Sequence, residues 1–247
     1  MVINELPVGS IVFLGSYRIA DVFYELEWIK VSKDNHFISK YVLNGMQYDA
    51  HEGYSHNYDY HLSNIRQYMN SEDASWYKPT HPNDSAPSYF RYESYTMVNP
   101  CRWPGMLYHF NDGDMSCIDQ ENGDYFRLPT VNEIMRGGFP YFNRKGKRAH
   151  PLPEYCSRER GYYSSGAFSS YFMLDDTRRD GLAELSRSGS IDRISPTRYS
   201  GIRPVCKLKA DSIVEGYTNN TYKCVPDPSK ARRYFEETQS IDWLLGI

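Results

Sequence analysis

The chain has 247 residues, enough to bury a sizeable core in one large domain or two small ones, and its 40% hydrophobic and 24% charged residues exclude intrinsic disorder. A formal net charge of −3 leaves no basic surplus to neutralise phosphates, so composition argues against a general nucleic-acid binder. No run approaches the roughly 18 apolar residues that cross a bilayer, and residues 1–19 lack a basic segment followed by an apolar one, so neither a membrane span nor a secretory signal is expected.

The first 48 residues read as strands. Gly9-Ser10-Ile11-Val12-Phe13-Leu14-Gly15 is a short apolar run bracketed by glycines, and residues 27–31 and 36–42 flank a turn at Lys33-Asp34-Asn35, which predicts a hairpin. A polar, aromatic loop is expected over 49–60. Ser63 is placed to cap a short helix running to about Met69, with Ile65, Tyr68 and Met69 for its inner face. Residues 71–125 form a long excursion, of which 71–100 are rich in Pro, Ser, Asn and Tyr without a period. In Phe126-Arg127-Leu128-Pro129-Thr130-Val131-Asn132-Glu133-Ile134, Thr130 and Glu133 make a T-x-x-E capping box, and Gly137-Gly138 ends a helix of one to two turns. Residues 139–160 read as a basic loop carrying Arg144, Lys145, Lys147, Arg148, Arg158 and Arg160. Strands return over 168–174 and 182–187, separated by a polar turn ending at Asp180-Gly181. Ser188-Gly189-Ser190 then turns the chain into 191–194. Residues 202–208 form the last expected strand, whose Pro204 predicts an edge or bulge position. Beyond 210 a tail is expected: 216–228 hold few apolar residues and predict an extended arm across the surface, and an amphipathic helix follows Pro228.

Several groups of residues invite a chemical reading. The five cysteines, Cys101, Cys117, Cys156, Cys206 and Cys224, are widely spaced and odd in number, which argues against a disulfide framework and against zinc, and predicts reduced thiols. His51, Glu52, His56, Asp59 and His61 crowd together, but a spacing of five puts the histidines on different sides of any helix, so a solvated loop is favoured over a metal site. Asn111-Asp112-Gly113-Asp114 with Asp119, Glu121, Asn122 and Asp124 offers hard oxygens. They read either as a calcium loop or as an acidic surface loop, and no other cofactor is expected. The basic stretch 144–160 reads as a solvated face, with an acidic partner as the alternative. No Ser-His-Asp spacing and no Gly-rich phosphate loop is recognisable.

Tyrosine stands out, with 23 copies. In Gly161-Tyr162-Tyr163-Ser164-Ser165-Gly166-Ala167-Phe168-Ser169-Ser170-Tyr171-Phe172 it is mixed with Ser and Gly, the pairing of rigid aromatic anchors with adaptable hydrogen-bonders that suits binding surfaces. Tyr162, Tyr163, Ser164, Ser165, Phe168 and Tyr171 are the candidate ligand-binding residues, and strand alternation allows one face to be buried and the other presented. The apolar tip Trp243, Leu244 and Leu245 is the candidate docking element, either on its own domain or on a neighbour, because burying each such side chain is worth roughly 1.5–3 kcal/mol.

The order Arg127-Leu128-Pro129-Thr130-Val131-Asn132-Glu133, Tyr162-Tyr163-Ser164-Ser165, Ser188-Gly189-Ser190 and Gly201-Ile202-Arg203-Pro204-Val205 resembles the landmarks of the C-type-lectin-like fold. That fold occurs in the formylglycine-generating (sulfatase-modifying) family, in related bacterial and phage domains of unknown function, and in phage receptor-binding variable proteins. Val8-Gly9-Ser10-Ile11-Val12, Glu27-Trp28 and Ser63-Asn64-Ile65-Arg66-Gln67-Tyr68-Met69-Asn70 resemble the amino-terminal part of such domains, and the match covers roughly residues 6–208. The resemblance implies an α+β domain over 1–210, with mixed or antiparallel sheets, two short helices and long irregular loops, and leaves 211–247 as a tail able to dock. It implies a non-enzymatic recognition or structural protein. The most concrete version is a phage virion component, a receptor-binding or decoration protein, whose partners are a protein or glycan ligand, further copies of itself or other virion proteins. The Glu-Pro-Asn and Trp-Asn-Asp tripeptides of calcium-dependent sugar-binding lectins are missing. The sulfatase-modifying enzymes use copper held by two nearby cysteines, whereas Cys156 has no second cysteine close in sequence. An oxidase of that kind is therefore the second reading, and an intracellular, cytoplasmic interaction module the third.

Overall fold

The computed structural model describes residues 1–19, 22–43, 45–49, 59–73, 76–79, 89–91, 96–98, 105–143, 170–176, 182–186, 188–197 and 199–225. The chain is mixed α+β and mostly sheet. The amino-terminal strands are β1 (Ile11–Ile19), β2 (Val22–Lys30), β3 (His36–Ser39) and β4 (Gly45–Gln47). Helix α1 (Asn64–Met69) leads to β5 (Tyr89–Arg91), β6 (Thr96–Val98), α2 (Asp112–Ser116), β7 (Ile118–Asp119) and α3 (Val131–Met135). Then come β8 (Tyr171–Asp176), β9 (Leu182–Leu185), β10 (Ile191–Ile194), β11 (Tyr199–Gly201), β12 (Val205–Leu208), β13 (Val214–Thr218) and β14 (Thr221–Cys224). They build two seven-stranded sheets, β13-β14-β1-β2-β3-β12-β7 and β10-β9-β8-β11-β4-β5-β6. Most neighbours are antiparallel, but β1 runs parallel to β14 and β11 parallel to β8. No helix among the described residues is long and apolar enough to cross a membrane.

Local chemistry sets the connections. The β2–β3 hairpin turns where expected, with Asn35 in the left-handed region at φ 61°. Ser63 caps α1 by accepting the Arg66 N–H, and Ile65, Tyr68 and Met69 are buried beneath it. Thr130 and Glu133 cap α3 reciprocally, and Gly137 leaves that helix at φ 87°. In β1 the register against β2 shifts between Phe13 and Ser16. Gly15 sits in that irregularity at φ 73°, where an added Cβ would lie 2.4 Å from the Phe110 ring. The same ring belongs to an aromatic stack: Trp28 lies 5.4 Å from Phe126, and Phe110 lies 5.0 Å from Phe126. The indole N–H of Trp28 donates to the Leu14 carbonyl at 2.9 Å. One contiguous core takes side chains from both sheets.

Three expectations are corrected. Residues 214–224 do not cross the surface as an extended arm. They fold as the β13–β14 hairpin, which turns at Asn220 (φ 57°) and joins the first sheet at β1. Asn220 fixes the junction, because its carbonyl accepts the Ile11 N–H at 3.1 Å and its carboxamide meets Ser10 Oγ and the Gly9 carbonyl. The strand at 202–208 is neither the last nor at an edge. It begins at Val205, lies between β3 and β7, and tolerates Pro204 because the proline precedes the ladder, where its carbonyl accepts the Ser39 N–H at 3.0 Å. The excursion 71–125 carries structure of its own, with β5, β6, α2 and β7 all within it.

Candidate functional site

Two of the segments that carry the family resemblance, 127–133 and 201–205, are joined beside residues 121–126, which the helix motif 63–70 also contacts. Arg127 and Val205 exchange both backbone hydrogen bonds, at 3.0 and 2.7 Å, so the R-L-P-T and I-R-P-V segments are paired directly. The Arg127 guanidinium forks onto the Glu133 carboxylate at 2.9 and 2.6 Å. The same carboxylate accepts the Thr130 N–H at 2.8 Å, and Thr130 Oγ1 accepts the Glu133 N–H at 3.1 Å. The S-N-I-R-Q-Y-M-N helix binds the same segment from another side. Arg66 pairs with Asp124 at 2.8 Å, and Asn70 clamps the backbone of 125–126: its Oδ1 accepts Tyr125 and Phe126 N–H at 2.8 and 3.0 Å, while its Nδ2 donates to the Phe126 carbonyl at 2.8 Å. Arg203 is fully buried. It donates to the Ser39 carbonyl at 3.0 Å and the Tyr171 hydroxyl at 3.1 Å, and it lies over the Phe142 and Tyr171 rings. Arg66, Asn70, Arg127, Thr130, Glu133 and Arg203 therefore each hold part of the frame.

Beside this hub lies the arrangement that, among the described residues, comes closest to catalytic machinery. Ser32 Oγ is 3.1 Å from His36 Nδ1, and His36 Nε2 is 3.0 Å from Glu121 Oε1. An ionised carboxylate only accepts, so Nε2 carries a proton toward Glu121, and Nδ1 faces the Ser32 hydroxyl. Burial alone would raise the Glu121 carboxyl, but the His36 hydrogen bond and the charges of His36, Arg127 and Lys207 outweigh it and hold it below the ordinary carboxylate value. A serine, an imidazole and a carboxylate in line are the parts of a nucleophile relay. Sequence spacing concealed them, since Glu121 lies 85 positions from His36. Here, however, Ser32 is buried and its oxygen also accepts the His36 N–H at 3.2 Å, which closes the β2–β3 turn. Glu121 is shared with Arg127, whose Nε lies 3.5 Å away. The line ties that turn to the chain ahead of α3.

The sequence-predicted site residues fare unevenly. Tyr162, Tyr163, Ser164, Ser165 and Phe168 lie outside the described residues, as do Trp243, Leu244, Leu245, the basic stretch 144–160 and His51, Glu52 and His56. Tyr171 is corrected. It is fully buried and held by Arg203, because β8 is covered on both faces and Tyr171, Phe172 and Met173 are all enclosed. The acidic stretch divides into separate tasks. Asn111 and Asp114 form the capping box of α2, Asn122 and Gly123 turn the chain at positive φ, Asp124 holds Arg66 and Glu121 holds His36. Asp59 caps the 3-10 turn Tyr60–Leu62. Among the described residues no three His, Cys, Asp or Glu side chains gather as metal ligands.

Comparison with family models, with curated proteins and with solved structures finds no match. The site has to be argued from its own residues. Sequence reasoning missed His36, Glu121, Arg66 and Asn70 as a group. Arg66 and Asn70 carried a signal as members of the helix motif, Glu121 was read only as one of the acidic-loop oxygens, and His36 only as part of a strand.

Proposed function

We propose that this chain is a non-enzymatic recognition or structural protein on a C-type-lectin-like frame, and in its most concrete form a phage virion component that binds a receptor or decorates the particle. One observation carries the reading. The Tyr/Ser/Gly stretch ends at a fixed point: the Ser170 carbonyl accepts the Gly201 N–H at 3.2 Å, and the next side chain, Tyr171, is locked under Arg203. A segment of paratope-like composition is thus delivered from a rigid strand, which is the usual division between scaffold and binding residues. The interlocked motif residues support the same reading, because their polar groups are spent on holding the frame.

In this reading Tyr162, Tyr163, Ser164, Ser165 and Phe168 contact a protein or glycan ligand. The test is binding of the full chain to an array of bacterial surface glycans and envelope extracts. A variant with Tyr162→Ala, Tyr163→Ala and Phe168→Ala should keep its thermal midpoint and lose at least about tenfold in binding. Unchanged binding by this variant would refute the assignment. A second, enzymatic reading is favoured only by the Ser32–His36–Glu121 line: hydrolysis of an activated acyl ester that disappears in His36→Gln would establish it. The oxidase alternative rests on Cys156, and tight copper uptake abolished by Cys156→Ser would support it.

A further inference from the structure

Among the described residues five large apolar side chains stand out in water, and three of them, Met1, Ile213 and Tyr217, at 62%, 56% and 64% exposure, belong to one edge of the first sheet. The backbone brings them there: the Met1 carbonyl accepts the Val214 N–H at 2.9 Å, Val2 bridges Ile213, and β13 is the outermost strand. Val214 is enclosed, so strand alternation sends Ile213 and Glu215 to the opposite, outer face. Phe13 shares that face, because its register runs through Lys223 to Glu215, and its half-buried ring meets Tyr217 edge-on at 5.5 Å. Glu25, Glu215 and Lys223 stand exposed around the rings, and Lys223 Nζ donates to Glu25 at 2.5 Å. Two carboxylates against one ammonium make that rim acidic. An aromatic pair inside a charged rim is the anatomy of a docking face. Leu62 and Tyr108, the other two exposed apolar side chains, stand on separate 3-10 turns, Tyr60–Leu62 and Met106–His109.

We propose that this face is covered by the carboxy-terminal segment of the same chain, with Trp243, Leu244 and Leu245 seated on Phe13, Ile213 and Tyr217. The described chain ends at the patch itself, where the Val225 N–H donates to the Ile213 carbonyl at 2.9 Å. Trp243 follows 18 residues later. A coil-like chain of that length has a span of roughly 20–25 Å, whereas Tyr217 lies only about 13 Å along β13 from Ile213. The apolar tip therefore reaches the patch without strain on the connection.

Charge and tethering support the same occupant. Lys230, Arg232 and Arg233 come early along the segment, close enough in sequence to Val225 to meet the acidic rim of Glu25 and Glu215. A tether of this length holds the tip at an effective concentration on the order of 1 mM, far above that of separate chains in dilute solution, so the chain's own face wins over a second copy's. Docking removes the Trp-Leu-Leu tip and the Phe13–Tyr217 pair from water together. The covered face is on the first sheet, so it leaves the end of β8 that delivers the Tyr/Ser/Gly stretch, on the second, to other partners.

The experiment places a photoreactive benzophenone side chain at Tyr217 and, in a separate preparation, at Ile213, both in the full chain. Natural-abundance and nitrogen-15-labelled chains are mixed, irradiated and mapped by peptide mass spectrometry. The expected result is cross-linking into residues 241–245 within single chains of one isotope composition. Combining Trp243→Asp with Leu244→Asp should cut that yield at least about tenfold, and the same probe at Leu62 should reach the segment at least about tenfold less. Cross-links of mixed isotope composition would put the segment on a second copy. Those, the absence of 241–245 from the products of both probes, or an undiminished yield in the double aspartate variant would each overturn the proposal. The two probe positions are separately exposed, so a folding defect at one leaves the other to decide.

Discussion

Replacing Asn70 by alanine tests whether the motif at the end of α1 holds the hub together. Its carboxamide is the acceptor for two consecutive backbone amides, Tyr125 at 2.8 Å and Phe126 at 3.0 Å, and it donates to the Phe126 carbonyl at 2.8 Å. Phe126 is fully buried against Trp28, so in the alanine variant water cannot easily replace these bonds. The Phe126 carbonyl keeps a second donor, the Tyr60 hydroxyl at 3.2 Å, so the main loss is two unsatisfied amides. At ~1–3 kcal/mol for each orphaned buried group, Asn70→Ala should cost about 2–6 kcal/mol. Asn70→Asp keeps the acceptor and loses only the donors, and should cost about 1 kcal/mol. Urea unfolding with the slope held constant is the assay. A loss below about 0.5 kcal/mol for Asn70→Ala, or equal losses for the two variants, would refute the clamp.

Other predictions follow from single contacts. Thr130→Ala removes the Oγ1 acceptor that caps α3 and should cost about 1 kcal/mol in the same assay. Gly15→Ala combines φ 73° with a Cβ 2.4 Å from the Phe110 ring and should cost about 2–4 kcal/mol, where a neutral result would contradict the packing at the β1 irregularity. Glu121 is held below its ordinary value of 4.5 in the folded chain, so its contribution is present above that pH and is lost as pH falls through the lower, folded value. The stability gap between the unsubstituted chain and Glu121→Gln, measured from about pH 6 to about pH 3, should therefore narrow on acidification, and a constant gap would remove Glu121 from the account.

What the sequence made legible was local. The Asn35 turn and the Ser63 and Thr130 caps are each specified within a few residues, so they read directly. The β13–β14 hairpin did not read, because an edge hairpin buries only part of one face: of β13 only Val214 is enclosed, and its neighbours Glu215 to Thr218 are exposed. Its one local signal was the Asn219-Asn220 turn. Tyr171 was misread because a strand covered on both faces loses the alternation that would assign its side chains. The Ser32–His36–Glu121 line and the Arg66–Asp124 pair join residues far apart in the chain, and no spacing rule reports such contacts.

The central claim is that this chain works as a recognition or structural component of a virus particle, and the direct measurement is quantitative mass spectrometry of gradient-purified particles from cells that carry its gene. The account predicts the chain in the particle fraction at a fixed ratio to the major coat protein, persisting through a second gradient. A chain that is abundant in the lysate and lost from the particles on the second gradient would contradict it.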